Sequence, residues 1–289
     1  MTTLKGLVAA ELSQRVDSRI EDIAAAIAAQ HGVAAQAVLF YGSCLRESQL
    51  DGLMLDFYLI VSDYEAAYPK RWLATANRLI PPNVFPFAHN GLAAKYAVLS
   101  VADFAALNRL EASTVSVWAR FAQPTRLVWS RDNMAQQLAI DAVAQAVPTL
   151  FALATPIADK QDGLSIWQAG FAQTYQAELR AERVDRSGSI VDADPDRYLA
   201  FGALVPTSSS LTKEAALRRW KQLQRRGKWM SVARLAKASL TFAGGIDYLA
   251  WKINRHAGTK IVIKPWQRKW PLLGAVVLVP RLFVKGAVR

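Results

Sequence analysis

The chain has 289 residues, a net charge of +12 and one cysteine, Cys44, and 52% of its residues are hydrophobic. This length exceeds that of one typical domain, and the composition is that of a globular protein with a sizeable core. One cysteine excludes an intramolecular disulfide, and the three scattered histidines fit no metal-binding spacing. The excess of positive charge indicates a polyanionic partner.

Apolar residues recur at helical spacing near the start of the chain and predict one long helix packed against a sheet. Acidic residues are interspersed among them, and mitochondrial presequences avoid acids. We therefore expect neither a matrix-targeting presequence nor a signal peptide here. The stripe consists of Leu4, Val8, Leu12, Val16, Ile20, Ile23 and Ile27.

A Gly-Ser turn follows the first predicted strand. Residues 37–41 form a short apolar run suited to a buried strand, and Gly42 and Ser43 come directly after it. Glycine permits a close approach of the backbone, and the N–H groups of such a turn can face phosphate oxygens. The pattern predicts a phosphate-binding turn.

A carboxylate interrupts the second predicted strand. Asp56 lies within the apolar run 53–61, thirteen residues after Ser43. An isolated carboxylate in a buried strand is costly unless it is paired or binds a cation. Asp56 is therefore the candidate metal ligand, and Asp51 and Asp63 flank the strand as further candidates.

The rest of the first 131 residues alternates helical and strand patterns. Together with the elements above, these patterns predict a small mixed α/β domain over residues 1–131. In chain order they predict a helix over 69–79, a turn at 81–83, a strand over 93–99, a capped helix from Ser100 or Asp103 to about Leu110, a helix leading to Arg120 and a strand over 125–129.

The middle of the chain is predicted to be helical. Residues 133–153 and 164–183 are alanine-rich and apolar at helical spacing. We therefore predict a helical or winged-helix-like domain over residues 132–210. Within it, residues 185–196 and 205–210 have the composition of loops.

The basic charge is concentrated in the last predicted region, residues 211–289. This region holds 18 Lys and Arg but only two acids, a net charge of +16, whereas residues 1–210 carry −4. Tryptophans alternate with the cations, among them Trp220 and Trp229. Such a region suits an anionic surface, although each charge cluster alone also fits a solvated helix face.

An apolar helix face within this region favours attachment to an anionic membrane. Residues 271–280 are uncharged, but a transmembrane helix takes about 20 residues, so we expect no span here. Near anionic lipid each Lys or Arg adds on the order of 1 kcal/mol of attraction. Lys237, Lys252 and Arg255 are predicted to lie near this helix face. One alternative is that residues 242–253 pack on the protein's own core. The other is nucleic acid, for which no recognisable motif is present. The residues predicted to contact the membrane are Trp229, Phe242, Ile246, Leu249, Trp251, Lys252, Trp266 and Trp270.

The Gly-Ser turn and the strand-borne Asp56 resemble the polymerase-beta-like nucleotidyltransferases. In that superfamily the strand usually carries a second aspartate two residues on, where this chain has Tyr58. A tyrosine is a poor magnesium ligand. The pattern therefore leaves two interpretations open, a nucleotidyltransferase and an inactive core.

Several stretches in the same order resemble one family, the mitochondrial translocator-maintenance type of phosphatidate cytidylyltransferase. That family also carries one strand aspartate followed by apolar or aromatic residues, so Tyr58 is similar to a family trait. The resemblance covers roughly residues 37–130, and Ala97 and Ala119 stand where the family has glycine. The stretches that carry it are Tyr41-Gly42-Ser43, Met54-Leu55-Asp56-Phe57, Val61-Ser62-Asp63, Lys95-Tyr96-Ala97-Val98 and the segment 117–124.

The resemblance implies an α+β protein with a polymerase-beta-like domain, a winged-helix-like domain and a basic C-terminal region. It also implies transfer of CMP from CTP to phosphatidic acid with Mg²⁺, by a cytoplasmic enzyme peripheral on the inner face of a membrane. Another phosphate or lipid acceptor, or an inactive membrane-bound scaffold, remains an alternative. The implied roles are catalytic for Asp56, Lys95 and Arg120, nucleotide-binding for Tyr41, Gly42, Ser43, Asp56 and Lys95, and metal-binding for Asp56.

Overall fold

A five-stranded mixed sheet lies at the centre of the computed structural model, which describes residues 3–46, 50–177, 190–241 and 262–265. The strands are β1 (Ala35–Tyr41), β2 (Met54–Val61), β3 (Asn83–His89), β4 (Leu92–Ser100) and β5 (Thr125–Ser130). Their order across the sheet is β3-β4-β2-β1-β5; β2 and β4 run parallel, and the other neighbours are antiparallel.

Helices surround this sheet, so the protein belongs to the mixed α+β class, as predicted. Short 3₁₀ turns occupy 32–34, 43–46 and 155–157. The helices of the described residues are α1 (Leu4–Leu12), α2 (Ser18–His31), α3 (Tyr64–Ala67), α4 (Arg71–Leu79), α5 (Val101–Leu107), α6 (Trp118–Phe121), α7 (Asn133–Val143), α8 (Ala146–Ala154), α9 (Gly163–Ala177), α10 (Pro195–Gly202) and α11 (Lys213–Thr241).

The N-terminal apolar stripe forms two helices, so the prediction of a single helix was wrong. The chain leaves the helical conformation after α1, and the side chain of Asp17 then accepts a hydrogen bond from the backbone N–H of Arg19, which caps α2. Val8 and Leu12 of α1 pack on one face of the sheet, whereas Ile23 of α2 packs on the opposite face. Apolar residues of one continuous helical spacing thus pack on both faces of the sheet.

Strand β3 and the helices α3 and α10 had no counterpart in the sequence prediction. Strand β3 contains Pro86, which removes a backbone donor and is tolerated because β3 lies at the edge of the sheet. Helix α10 begins at Pro195, inside the predicted loop 185–196, and continues past the end of that loop to Gly202. Its cap is Asp194, whose side chain accepts from the backbone N–H of Arg197 at 3.2 Å.

The helices of the middle region share one hydrophobic core with a face of the sheet. Buried residues of α7, α8 and α9 lie in the same cluster as Leu39 and Tyr58 of the sheet. Trp220 of α11 also belongs to it: the side chain is 1% exposed, and its indole N–H donates to the Leu153 carbonyl at 3.0 Å. Trp220 is therefore a core residue and is not available to a membrane.

Helix α11 connects the helical region to the edge of the sheet. Gly227 lies so close to α9 that an added Cβ would stand 2.2 Å from the Ala177 carbonyl oxygen. Farther along, Arg234 donates to the Pro81 carbonyl at 2.7 Å, and Lys237 donates to the Pro82 carbonyl at 2.9 Å. Burial lowers the pKa of the Lys237 ammonium to about 7. Lys237 therefore supports the fold and does not flank an exposed membrane face.

One described stretch, Asn133–Ile157, is long and apolar enough to cross a membrane by length and composition. However, 72% of its most apolar window is buried inside the fold. A core helix of a soluble protein passes the same test, so this stretch carries no argument for a span.

His31 at the end of α2 lies half-buried between two aromatic rings. Its Nδ1 lies 3.0 Å from the Ala67 carbonyl oxygen, and its Nε2 lies 3.2 Å from the hydroxyl of Tyr96. The ring also meets Tyr68 edge-on, with centroids 6.2 Å apart. Desolvation by burial lowers the pKa of His31 below its usual value of 6.5.

We expect the folded protein to lose stability in mild acid because of His31. In the unfolded chain this imidazole takes up a proton near pH 6.5, whereas the folded protein resists protonation until a lower pH. The free energy of unfolding should thus be unaffected by His31 above pH 6.5 and fall as the pH drops below it. Urea denaturation from pH 5 to 8 measures this, and His31→Gln should show a flatter profile. A variant with the same pH dependence as the wild type contradicts the assignment.

Candidate active site

Three neighbouring strands bring the predicted site residues to one face of the sheet. Asp56 near the start of β2 is paired in register with Tyr41 of β1 on one side and with Lys95 of β4 on the other. Residues paired across neighbouring strands point to the same face, so the three side chains stand side by side. Lys95 and Asp56 are 39 residues apart in sequence, and only the parallel pairing of β2 and β4 joins them.

Asp56 and Lys95 form an ion pair at this face. The Nζ of Lys95 lies 3.0 Å from Oδ1 of Asp56, and the side chains are 29% and 24% exposed. Partial burial strengthens the attraction between the charges, while the remaining exposure leaves both groups accessible to a ligand. This ion pair explains how the strand tolerates the carboxylate of Asp56.

The Gly-Ser turn lies against the carboxylate of Asp56. Gly42 has a φ of +96°, which favours glycine, and an added Cβ would stand 3.5 Å from Oδ2 of Asp56. Ser43 opens the 3₁₀ turn 43–46, and both Gly42 and Ser43 are exposed. An anion at this turn would therefore lie beside both the carboxylate and the ammonium of Lys95.

Aromatic side chains form the inner wall of the site. Tyr58 is 2% exposed, and its ring centroid lies 5.2 Å from those of Tyr41 and Phe121. Tyr58 thus packs as a core residue at the position where the superfamily has its second aspartate. Phe121 of α6 covers this face, and its neighbour Arg120 is half-buried and donates to the Ser116 carbonyl. Helix α6 places Arg120 on the same side of the sheet as Asp56.

The other candidates from the sequence have structural partners elsewhere. Asp63 lies beyond the far end of β2, where its side chain caps α3 through the backbone N–H of Ala66 at 2.7 Å. Asp51 lies 3.7 Å from a guanidinium nitrogen of Arg19. Cys44 is buried. The expectation that Asp51 or Asp63 joins Asp56 is therefore not met by the geometry of either residue.

The donor set at the turn suits one magnesium ion shared with a nucleotide. No group of three or more His, Cys, Asp and Glu side chains forms among the described residues. Mg²⁺ often binds through one or two carboxylates plus substrate phosphates and waters. Asp56 lies beside Lys95 and the Gly-Ser turn, so its carboxylate can serve as the protein ligand of such an ion.

The predicted membrane contacts lie mostly outside the described residues. Trp229 is described: it stands on α11 and is 77% exposed, in contrast to the buried Trp220. The predicted contacts beyond the described residues are Phe242, Ile246, Leu249, Trp251, Lys252, Trp266 and Trp270.

Residues of β3 were missed at this face because the strand itself was not predicted. Pro86 is paired with Lys95, and Ala88 is paired with Ala93. The alternation of Val84, Pro86 and Ala88 with aromatic residues was the available signal.

Comparison with known proteins finds likenesses among solved structures. No family profile and no curated protein matches the chain significantly. Eight chains of solved structures match it. One of them is a nucleotidyltransferase-like protein from Exiguobacterium sibiricum, which is 14% identical, with 92% of each chain covered and a TM-score of 0.29. A TM-score this low carries no argument for a common function.

Proposed function

We propose that this protein is a nucleotidyltransferase that transfers CMP from CTP to phosphatidic acid and releases pyrophosphate. The observation that supports it is the convergence of Gly42, Ser43, Asp56 and Lys95 at one accessible point of the sheet. A turn that can receive phosphates, a carboxylate that can hold Mg²⁺ and an ammonium are the groups that nucleotidyl transfer requires.

The reaction needs no nucleophile from the protein. An oxygen of the acceptor phosphate forms a bond to the α-phosphorus of CTP, and the bond from that phosphorus to the bridging β-oxygen breaks. Gly42 and Ser43 hold the β- and γ-phosphates, and a magnesium ion held by Asp56 would neutralise their charge. Lys95 stands where its ammonium can offset the charge of the acceptor or of the α-phosphate, and Arg120 supplies a second cation from α6. Positioning and charge neutralisation thus account for the catalysis.

The choice of cytidine and of a lipid acceptor rests on the family resemblance of residues 37–130 and on the charge of residues 211–289. We place the enzyme in the cytoplasm, peripheral on the inner face of a membrane. Transfer to another phosphate or lipid acceptor uses the same groups. The buried Tyr58, in place of a second carboxylate, is the observation that favours an inactive scaffold instead.

The deciding experiment offers [α-³²P]CTP, Mg²⁺ and phosphatidic acid vesicles to the purified protein and separates lipid products by thin-layer chromatography. We expect labelled CDP-diacylglycerol, and little or no product when ATP or GTP replaces CTP. Label transferred only to another acceptor from a lipid extract would retain the enzyme class and exclude phosphatidic acid. No transfer to any acceptor, with intact binding to vesicles, would support the scaffold.

Removal of residues 242–289, which include the described residues 262–265, should release the protein from anionic vesicles while the sheet and helices α1 to α11 stay folded. The cut follows α11, because Lys237 and Arg234 of that helix hold the loop 80–82. The removed segment carries most of the predicted membrane contacts, and the attraction to anionic lipid is screened by salt. Vesicle sedimentation should show weaker binding of the shortened chain, and weaker binding of the full chain in salt or with neutral lipid. Equal sedimentation of both chains contradicts this attachment.

A further inference from the structure

The face of the sheet that carries Asp56 and Lys95 continues as a regular array over β2, β4 and β3. Because paired residues of neighbouring strands point to one face, the register places side chains in three parallel rows across these strands. The inner row is Tyr58, Ala97 and Val84; the middle row is Asp56, Lys95 and Pro86; and the outer row is Met54, Ala93 and Ala88.

The inner row is covered, whereas the outer row is open. Tyr58 and Ala97 are 2% and 5% exposed, and Phe121 packs on Tyr58. In contrast, Pro86, Ala88 and Ala93 are exposed and Met54 is half-exposed. We call these four residues, Met54, Pro86, Ala88 and Ala93, the shelf. Its side chains are small or unbranched, apolar and uncharged, and the register places Pro86 directly beside Lys95.

Three of the four shelf residues, Pro86, Ala88 and Ala93, lie on the side of Asp56 away from the Gly-Ser turn, and Met54 lies on β2 itself. The turn follows β1, which is next to β2, whereas the shelf extends outward over β4 and β3. With strands about 4.8 Å apart, Pro86 lies roughly 10 Å from Asp56 across the sheet. A ligand that extends from the triphosphate side past Lys95 therefore meets an apolar surface that ends at the edge strand β3.

We propose that the shelf binds the acyl-bearing part of an amphiphilic phosphate acceptor, with the acceptor's phosphate at Lys95. The inference rests on the proposed function and adds where the acceptor lies. The adjoining cation selects an anionic headgroup, and the apolar side chains next to it suit hydrocarbon. A pyrimidine base is a poorer occupant, because the four shelf side chains have no hydrogen-bonding group to recognise its polar edge.

The test compares soluble phosphatidic acids of increasing acyl length as acceptors, from dibutanoyl to dihexanoyl, with glycerol 3-phosphate as the acyl-free acceptor. A methylene buried on the shelf should raise kcat/KM by about fourfold. The variant is the double substitution Ala88→Gln and Ala93→Gln, with Ala88→Gln alone as a milder form. Ala66→Gln is the matched control, since Ala66 is exposed on α3, which packs on the opposite face of the sheet.

We expect kcat/KM to rise steeply with acyl length in the wild type and in the control. In the double variant kcat/KM should be nearly independent of acyl length, with an unchanged Kd for CTP. A double variant with the wild-type dependence on acyl length overturns the proposal, because the acyl chains then lie elsewhere. A weakened Kd for CTP with an unchanged acyl dependence also overturns it and assigns the shelf to the base.

Failure of the proposed function has a different signature. In that case the wild type transfers CMP to none of these acceptors, and calorimetric titration with dihexanoyl phosphatidic acid then tests the shelf by binding alone. Binding at least tenfold weaker in the double variant than in the wild type supports the shelf. Equal affinities overturn it.

Discussion

Asp56→Asn should abolish nucleotidyl transfer, with a loss of about a thousandfold, while the protein stays folded. The amide keeps the shape of the carboxylate, but it has no charge to hold a magnesium ion or to pair with Lys95 at 3.0 Å. The side chains of Asp56 and Lys95 are 24% and 29% exposed, so water can reach the Lys95 ammonium once the carboxylate is gone, and we expect the protein to stay folded. The rate of label transfer from [α-³²P]CTP measures the first effect, and thermal unfolding measures the second.

Two companion variants make this result specific. Asp51→Asn removes a nearby carboxylate that is paired with Arg19 outside the site, and it should retain wild-type turnover. Ser43→Ala should cause a smaller loss than Asp56→Asn, because backbone N–H groups at the turn share the phosphate contacts. Wild-type turnover of Asp56→Asn in magnesium would exclude the assigned role, and equal losses for Asp56→Asn and Ser43→Ala would indicate a catalytic role for the hydroxyl.

Glu11→Ala and Arg197→Ala should each lower the free energy of unfolding by about 3–5 kcal/mol. One edge of the Arg197 guanidinium holds both carboxylate oxygens of Glu11: Nη2 lies 3.0 Å from Oε1, and Nε contacts Oε2. The side chains are only 7% and 9% exposed. Arg197 also donates to the Ala122 carbonyl at 3.2 Å and stacks on Phe201. Either truncation leaves a buried charge without its partner, and urea denaturation measures the cost.

An exposed ion pair of the same protein provides the control. Lys5 and Asp141 also join α1 to the helical region, but their side chains are 52% and 54% exposed. Lys5→Ala should therefore cost less than about 1 kcal/mol. If Glu11→Ala cost no more than Lys5→Ala, the buried pair would not hold α1 and α10 together as the structure indicates.

Local sequence patterns were sufficient for much of the sheet and for the turn. Short apolar runs bounded by glycine, aspartate or proline predicted β1, β2, β4 and β5 to within one or two residues. Gly42 and Asp56 were recognisable in the sequence because each is unusual at its position. Gly42 directly follows a strand, and Asp56 is a charged residue inside one. Such residues are informative in sequence because the physical cost of placing them there requires a compensating role.

The rest depended on contacts between distant segments. Lys95 gains its position from the parallel pairing of β4 with β2, which no local pattern specifies. Strand β3 was missed because Pro86 argues against a strand unless the strand lies at an edge. The N-terminal stripe was continuous in sequence, and only the cap at Asp17 divides it between the two faces of the sheet.

The core that the sheet shares with α7, α8 and α9 has a consequence for how this chain can be divided. A boundary at residue 131, where the composition changes, would separate the two sides of one apolar interior. Limited proteolysis there would yield fragments that remain associated, and neither half would be soluble when expressed alone. Gene fusion or exchange between relatives at that point would likewise need matching interiors, so the sheet face that carries Asp56 and the helices that pack on it must evolve as one unit.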